Sequence, residues 1–131
     1  ELEFGYRTSR VAKEGMIVLQ MCISLFMGSS GEISMIMQML MQKRKAKQPL
    51  EYPSAGSTFK RPEGYFAGKL IEDAGLRGYR VGGAMVSEKH CGFVINYENA
   101  TATDILTLIK DVQRIVKEKF DVKLEPEVKI V

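Results

Sequence analysis

The chain has 131 residues, of which 45% are hydrophobic, so it is long enough for one core, or for one domain and part of another. Its formal net charge of +3 is too small to indicate nucleic-acid binding by itself, although it suits a negatively charged small ligand. No segment approaches the roughly 20 apolar residues that a membrane-spanning helix needs.

Residues 1–47 are expected to contain one strand and one helix. Residues 16–27 are rich in Ile, Val and Leu and alternate imperfectly, which predicts the strand. Ser29 and Glu32 have the spacing of a capping box, so the helix should begin there and end before Pro49. Its apolar residues recur at helical spacing, and we expect them to form a buried stripe: Ile33, Ile36, Met37, Leu40 and Met41.

Residues 50–56 are turn-like and form the natural boundary between two structural units. A short helix is expected at residues 65–74, with Gly75 as a left-handed cap. Strand-like runs follow at 80–87 and 92–97. Within the first run, Gly82 and Gly83 indicate a bend or a close approach of the backbone.

Thr101 and Asp104 have the spacing of a second helix start, and an apolar face continues from there to about residue 119. The chain is expected to end in a strand with one apolar face: Val122, Leu124, Val128 and Ile130. From residue 49 onward the order is helix, strands, helix and strand. This order predicts an α+β domain with helices packed on a small sheet.

Residues 53–62, Pro-Ser-Ala-Gly-Ser-Thr-Phe-Lys-Arg-Pro, suit an anionic ligand. Small residues let a ligand approach the backbone N–H groups, and Lys60 and Arg61 supply positive charge. His90 is the one histidine of the chain, and no cysteine spacing accompanies it, so we expect no metal site. The two cysteines, Cys22 and Cys91, lie in apolar runs and are expected to be buried free thiols.

Five segments together resemble the UDP-N-acetylenolpyruvoylglucosamine reductase family, in the family's order and spacing. They are FGYRTS at residues 4–9, KQPLEYPSAGSTFKRP at 47–62, GKLIEDAGLRGYRVGGAMVSEKH at 68–90, FVIN at 93–96 and LEPEVKIV at 124–131. No long insertion separates the YRxS segment from the SAGS segment, which is typical of the shorter subclass.

The resemblance implies a reductase of bacterial peptidoglycan synthesis, located in the cytoplasm, that uses FAD and NADPH. In that family NADPH reduces FAD, and the reduced flavin delivers hydride to UDP-N-acetylglucosamine enolpyruvate, which becomes UDP-N-acetylmuramate. The family's long N-terminal flavin-binding portion is absent from this chain. Residues 1–48 are therefore expected to be the closing strand and helix of a truncated flavin-binding domain, and residues 49–131 the substrate-binding domain. We expect most FAD contacts to lie in the missing part, and the resemblance assigns no FAD-binding residue to this chain. This piece alone is expected to be inactive.

The resemblance also assigns three catalytic residues. Arg7, in the YRxS motif, would hold the enolpyruvyl carboxylate, since a guanidinium can bind a carboxylate through two hydrogen bonds. Ser57, the second serine of SAGS, would protonate the carbon next to that carboxylate, and Ser54 is its local rival. Glu127 would assist as an acid. Residue chemistry alone does not separate Glu127 from Glu125, and the register of the LEPEVK motif selects Glu127.

Four further residues are expected to bind substrate. Tyr6 belongs to the YRxS segment, and Lys47, Lys60 and Arg61 are expected to hold the diphosphate of the nucleotide sugar. We interpret the neighbouring cations Lys43, Arg44 and Lys45 as a solvated helix end. Without the resemblance, the alternative function is a non-catalytic α+β module that binds an anion or has a regulatory role.

Overall fold

The structure, a computed structural model, describes residues 2–130. It divides into two compact units, with the boundary between Ser34 and Met35. The first unit contains helix α1, Arg10–Lys13, and the start of helix α2, Ser30–Lys47, which continues into the second unit. Among residues 2–130, no helix is both long and apolar enough to cross a membrane.

The predicted strand at residues 16–27 is not formed. Residues 16–29 adopt neither helix nor strand, and their large apolar side chains are exposed, Phe26 at 98% and Leu19 at 93%. A strand needs a hydrogen-bonded neighbour, and no described residue supplies one to this segment. The apolar composition that predicted the strand therefore has no sheet to join in this chain.

Helix α2 begins and ends close to its predicted bounds. The backbone N–H of Glu32 donates to Oγ of Ser29 at 3.5 Å, and the helix ends at Lys47, before Pro49. The predicted buried stripe is wrong, because every residue of α2 is exposed. Helical spacing correctly identified the helix, but burial of its apolar residues also requires an element that packs against them.

Four antiparallel strands form one sheet in the second unit. They are β1 (Ser54–Ser57), β2 (Arg80–Val81), β3 (Ala84–Val86) and β4 (Phe93–Asn96), in the spatial order β1-β4-β3-β2. The predicted run at 80–87 is thus a tight hairpin, with Gly82 and Gly83 as its turn. Any Cβ at Gly83 would overlap the carbonyl oxygen of Glu98, which confirms a close approach of the backbone.

Two helices of the second unit confirm the sequence predictions. Helix α3, Ala67–Asp73, is followed by Gly75 in the left-handed region, with φ of +79°. Helix α4, Ala102–Phe120, begins with the predicted capping box. The N–H of Asp104 donates to Oγ1 of Thr101 at 3.1 Å, and the N–H of Thr101 donates to Oδ2 of Asp104 at 2.9 Å.

The main core lies between these helices and one face of the sheet. Its fully buried members come from α3, α4, the sheet and the C-terminal segment, and include Ile71, Val86, Leu108, Val112, Val116 and Leu124. The other face of the sheet carries a smaller cluster of Met85, Phe93 and Ile95, with Tyr52 and Tyr97 against it. The α+β class with helices packed on a small sheet is confirmed.

The predicted C-terminal strand is reduced to a single bridge. Phe59 pairs with Pro126 in the antiparallel sense, and residues 122–130 form no longer strand. Leu124 is fully buried as expected, whereas Ile130 is 65% exposed. Pro126 has no N–H to donate, which limits the pairing that this segment can make.

Both cysteines are free, but only one of them is buried. Cys91 lies in the main core, where burial raises the pKa of its thiol. The prediction of burial is wrong for Cys22, which is exposed because residues 16–29 join no sheet.

The capping box of α4 makes stability depend on pH. The hydrogen bond from the Thr101 backbone holds the pKa of Asp104 below its ordinary value. A depressed pKa means that the carboxylate stabilises the fold above the unfolded-state pKa of about 3.9, and that this contribution is lost as pH falls through the folded-state pKa. We expect Asp104→Asn to lower the free energy of unfolding at pH 7, in urea titrations followed by circular dichroism. The difference in free energy of unfolding between the variant and the original chain should be smaller at pH 3 than at pH 7, because protonation of the carboxylate removes its contribution. An equal difference at the two pH values would contradict this account.

Candidate functional site

Thr58 joins the segments that carry Ser57 and Glu127. Its N–H donates to the carbonyl of Gly92 at 2.8 Å, and its Oγ1 accepts from the N–H of Val94 at 3.0 Å. Its own carbonyl accepts from the N–H of Glu127 at 2.8 Å. Thr58 is only 3% exposed, so these bonds are shielded from water. The predicted proton donor and the predicted acid are therefore held on segments that are bonded to each other.

A bulge in β1 sets the position of Ser57. Ser54 lies opposite Ile95 and Ser57 opposite Phe93, so β1 carries one more residue than β4 over the same interval. Gly56 occupies this interval with φ of +86°, which favours glycine. The extra residue changes the alternation of side chains, and Ser57 lies on the wall of an open pocket.

This pocket has a volume of about 430 Å³, within the usual range for small-ligand sites. It is bordered by the end of α2, by β1 and by the loop before β4. Its lining residues are Arg44, Gln48, Leu50, Ser54, Gly56, Ser57, His90 and Phe93. Of the site residues predicted from sequence, Ser57 is the member of this lining.

The structure distinguishes the two glutamates of the C-terminal segment. Glu125 is exposed, and its carboxylate lies 3.3 Å from Nζ of Lys60. Glu127 is half-buried, with Oε2 shielded from solvent. The two carboxylates therefore differ in solvent contact, because one oxygen of Glu127 is shielded whereas Glu125 forms its ion pair at the surface.

The predicted phosphate-binding cations lie outside the pocket lining. Lys60 makes the ion pair with Glu125, and Lys47 is exposed at the C-terminal end of α2. The guanidinium of Arg61 lies over the ring of Phe66, 4.0 Å from its centroid, and Nε donates to the carbonyl of Tyr65 at 3.3 Å. Arg61 therefore lies at the surface in contact with both Phe66 and Tyr65.

Tyr6 and Arg7 lie in a tight turn of the first unit, closed by hydrogen bonds between Gly5 and Thr8. Nε of Arg7 donates to the hydroxyl of Tyr6 at 3.3 Å. Arg7 has φ of +54°, a left-handed conformation that is unusual outside glycine. Such conformations occur more often at functional positions. Ser9, beside them, caps α1 by accepting the N–H of Ala12 at 3.3 Å.

Sequence reasoning missed three residues of this region. Arg44 was interpreted as solvated, and His90 was considered only as a metal ligand, yet both line the pocket with Ser57. Thr58 was passed over because a single threonine gives no pattern. The available signal for a structural role of Thr58 was its position directly after the SAGS motif, where strand β1 ends.

Within residues 2–130, no group of three or more His, Cys, Asp or Glu side chains could hold a metal ion. The described residues of the second unit form a small α+β domain with an open pocket. Its pocket lies at the edge of the sheet, and its polar lining includes a hydroxyl, an imidazole and a guanidinium.

Comparison with known proteins identifies the family. A family model described as UDP-N-acetylenolpyruvoylglucosamine reductase, C-terminal domain, matches residues 48–131. The chain belongs to this family.

Curated relatives match the whole chain. UDP-N-acetylenolpyruvoylglucosamine reductase of Lachnoclostridium phytofermentans is 66% identical over 131 residues, covering 100% of this chain and 42% of the relative. The enzyme of Caldanaerobacter subterraneus is 61% identical, covering 100% of this chain and 43% of the relative. The crystal structure of the Thermus caldophilus reductase matches with a TM-score of 0.75 and 38% identity, over 98% of this chain and 45% of that one. The chain thus spans less than half the length of these relatives.

The hydroxyl of Thr58 provides a test of the site's framework. Thr58→Val keeps the shape of the side chain but leaves the buried N–H of Val94 without its acceptor. We expect the free energy of unfolding to fall by about 1–3 kcal/mol, measured by urea denaturation.

The matched control is Thr107→Val, the same chemical change at an exposed position of α4. Its effect should stay within about 0.5 kcal/mol. Equal stabilities of the two variants would show that the Thr58 hydroxyl does not support the sheet edge.

Proposed function

We propose that this chain is the substrate-binding part of a reductase that converts UDP-N-acetylglucosamine enolpyruvate to UDP-N-acetylmuramate in the bacterial cytoplasm. The observation that carries the proposal is the hydrogen-bonded pairing around Thr58. This pairing brings the segments of Ser57 and Glu127 together in a chain that is 66% identical to a named reductase.

The proposed reduction requires a group that donates a proton to the carbon beside the substrate carboxylate. Reduction of the enol ether leaves negative charge on the carbon beside a carboxylate, and that carbon is basic enough to take the hydroxyl proton of Ser57. The O–H bond of Ser57 breaks, a C–H bond forms, and water later restores the hydroxyl. Glu127 assists as an acid from its half-buried position, which supports the choice of Glu127 over Glu125.

Arg7 binds the enolpyruvyl carboxylate and limits the build-up of negative charge there. Its left-handed backbone and its contact with Tyr6 support a constrained, functional turn. Tyr6 contributes to substrate binding from the same turn. These two roles follow from the family's YRxS motif together with this local geometry.

Lys47, Lys60 and Arg61 bind the diphosphate. Lys60 is paired with Glu125 at 3.3 Å, with both side chains largely exposed, so little energy is lost when a phosphate replaces the carboxylate. Arg61 is already oriented by Phe66 and Tyr65, which lowers the entropy cost of binding an anion.

The described residues do not suit a whole FAD molecule. The pocket beside Ser57 holds about 430 Å³, and its lining offers one cation, Arg44, to a pyrophosphate. We therefore assign the FAD contacts, and the use of NADPH, to an N-terminal flavin-binding part outside this chain. The exposed apolar side chains of residues 16–27, and separately those of α2, support such a partner. Alone, the chain is expected to be inactive.

The test uses a chimeric protein in which this chain replaces the matching segment of the Lachnoclostridium phytofermentans reductase. We expect NADPH oxidation that depends on UDP-N-acetylglucosamine enolpyruvate. In the chimera, Ser57→Ala should lower kcat by about 10²–10⁴-fold, because the proton donor is removed. Reduction of the flavin by NADPH, followed by absorbance, should continue.

Ser54→Ala is the matched control, since Ser54 belongs to the same strand and also lines the pocket. Its kcat should stay within a few-fold of the unsubstituted chimera. A folded, flavin-loaded chimera without substrate-dependent oxidation would overturn the proposed function. An active Ser57→Ala variant would overturn only the role of Ser57.

A further inference from the structure

His90 is an exposed residue of a closely packed loop, and it lines the same pocket as Ser57. A Cβ at Gly92 would lie 2.9 Å from Cε1 of His90, and one at Gly68 would lie 3.2 Å from the same atom. Both distances are shorter than ordinary van der Waals contact, so the ring depends on the absence of side chains at these two positions. Phe93 packs edge-on against the ring, with centroids 5.0 Å apart.

Hydrogen bonds fix the loop and the tautomer. Oγ of Ser87 accepts from the N–H groups of Lys89 and His90 at 3.2 and 3.3 Å, and Ser87 is 1% exposed. The N–H of Gly92 donates to Nδ1 of His90 at 3.0 Å. Nδ1 is therefore an acceptor, and a neutral imidazole then carries its proton on Nε2. The ring presents a hydrogen-bond donor that the loop does not use.

Ser57 and His90 border the same space. The Cβ position at Gly92 that lies 2.9 Å from the imidazole also lies 3.7 Å from Oγ of Ser57. Both side chains line the pocket, and the pairing of Ser57 with Phe93 fixes β1 against the end of the His90 loop. No other titratable side chain belongs to the described lining besides Arg44, which donates to Gln48 at 3.0 Å.

We propose that His90 is a positioning residue for Ser57, an inference that rests on the proposed function. Nε2–H of His90 donates to Oγ of Ser57, directly or through one water molecule, and directs the hydroxyl proton toward the ligand. When that proton moves to carbon, the hydrogen bond stabilises the negative charge left on Oγ. His90 transfers no proton, so its neutral form is sufficient.

Two substitutions separate the two nitrogen atoms of the ring. In His90→Gln the amide NH₂ can reach the position of Nε2, whereas in His90→Asn the amide oxygen can replace Nδ1 as the acceptor for Gly92. In the chimera we expect His90→Asn to lower kcat roughly 10- to 100-fold with KM little changed, and His90→Gln to retain most of kcat. The opposite order would mean that His90 only supports the loop, and would overturn the proposal. A rise in KM at constant kcat would also overturn it, since that result indicates ligand binding.

A double-mutant cycle keeps the test valid if His90→Gln fails to fold. If His90 acts through Ser57, His90→Asn should cause no further loss of kcat in the Ser57→Ala background. A loss of equal size in both backgrounds would contradict the proposal. Thermal unfolding of each variant establishes that it is folded. Failure of the proposed function is a separate result, because the unsubstituted chimera would then be inactive.

Discussion

The hydrogen bonds of Thr58 are the constraint on which the site depends. One buried residue connects β1 to β4 through its N–H and hydroxyl, and connects β1 to the C-terminal segment through its carbonyl. Because the residue is shielded from water, each bond would leave an unsatisfied polar group if it were broken. The same three bonds place Ser57 beside the His90 loop and bring Glu127 to the edge of the sheet. Positioning is thus a property of the backbone network as much as of the reactive side chains.

The part of the chain before Gln48 shows that apolar composition does not by itself produce burial. Residues 16–27 and the stripe of α2 have the apolar content of core elements, yet their side chains are exposed. Hydrophobic side chains stabilise the folded state only when a second surface covers them and removes them from water. Alternation and helical spacing describe which residues could be buried together, whereas burial itself requires a partner. The predicted burial was wrong because no described element covers these side chains, whereas the predicted bounds of α2 were correct.

Much of the second unit could be predicted, because its signals are local. The capping box of α4, the glycine after α3 and the glycine pair of the hairpin each act within a few residues. The site was less predictable. Ser57 was identified by resemblance to a motif, whereas Thr58, Arg44 and His90 come together only through contacts between distant segments. The C-terminal strand was overestimated because Pro126 limits pairing to a single bridge.

The strand order β1-β4-β3-β2 has a consequence for how the site forms. Strands β2, β3 and β4 are neighbours in the chain and in the sheet, so they can assemble through short connections. Strand β1 instead pairs with β4 across a long interval, and the C-terminal segment must return to meet residues 58–60. Closing long loops is entropically costly, so this edge is expected to be the last part of the sheet to form. A ligand that binds only the completed edge would therefore raise the free energy of unfolding of the whole domain.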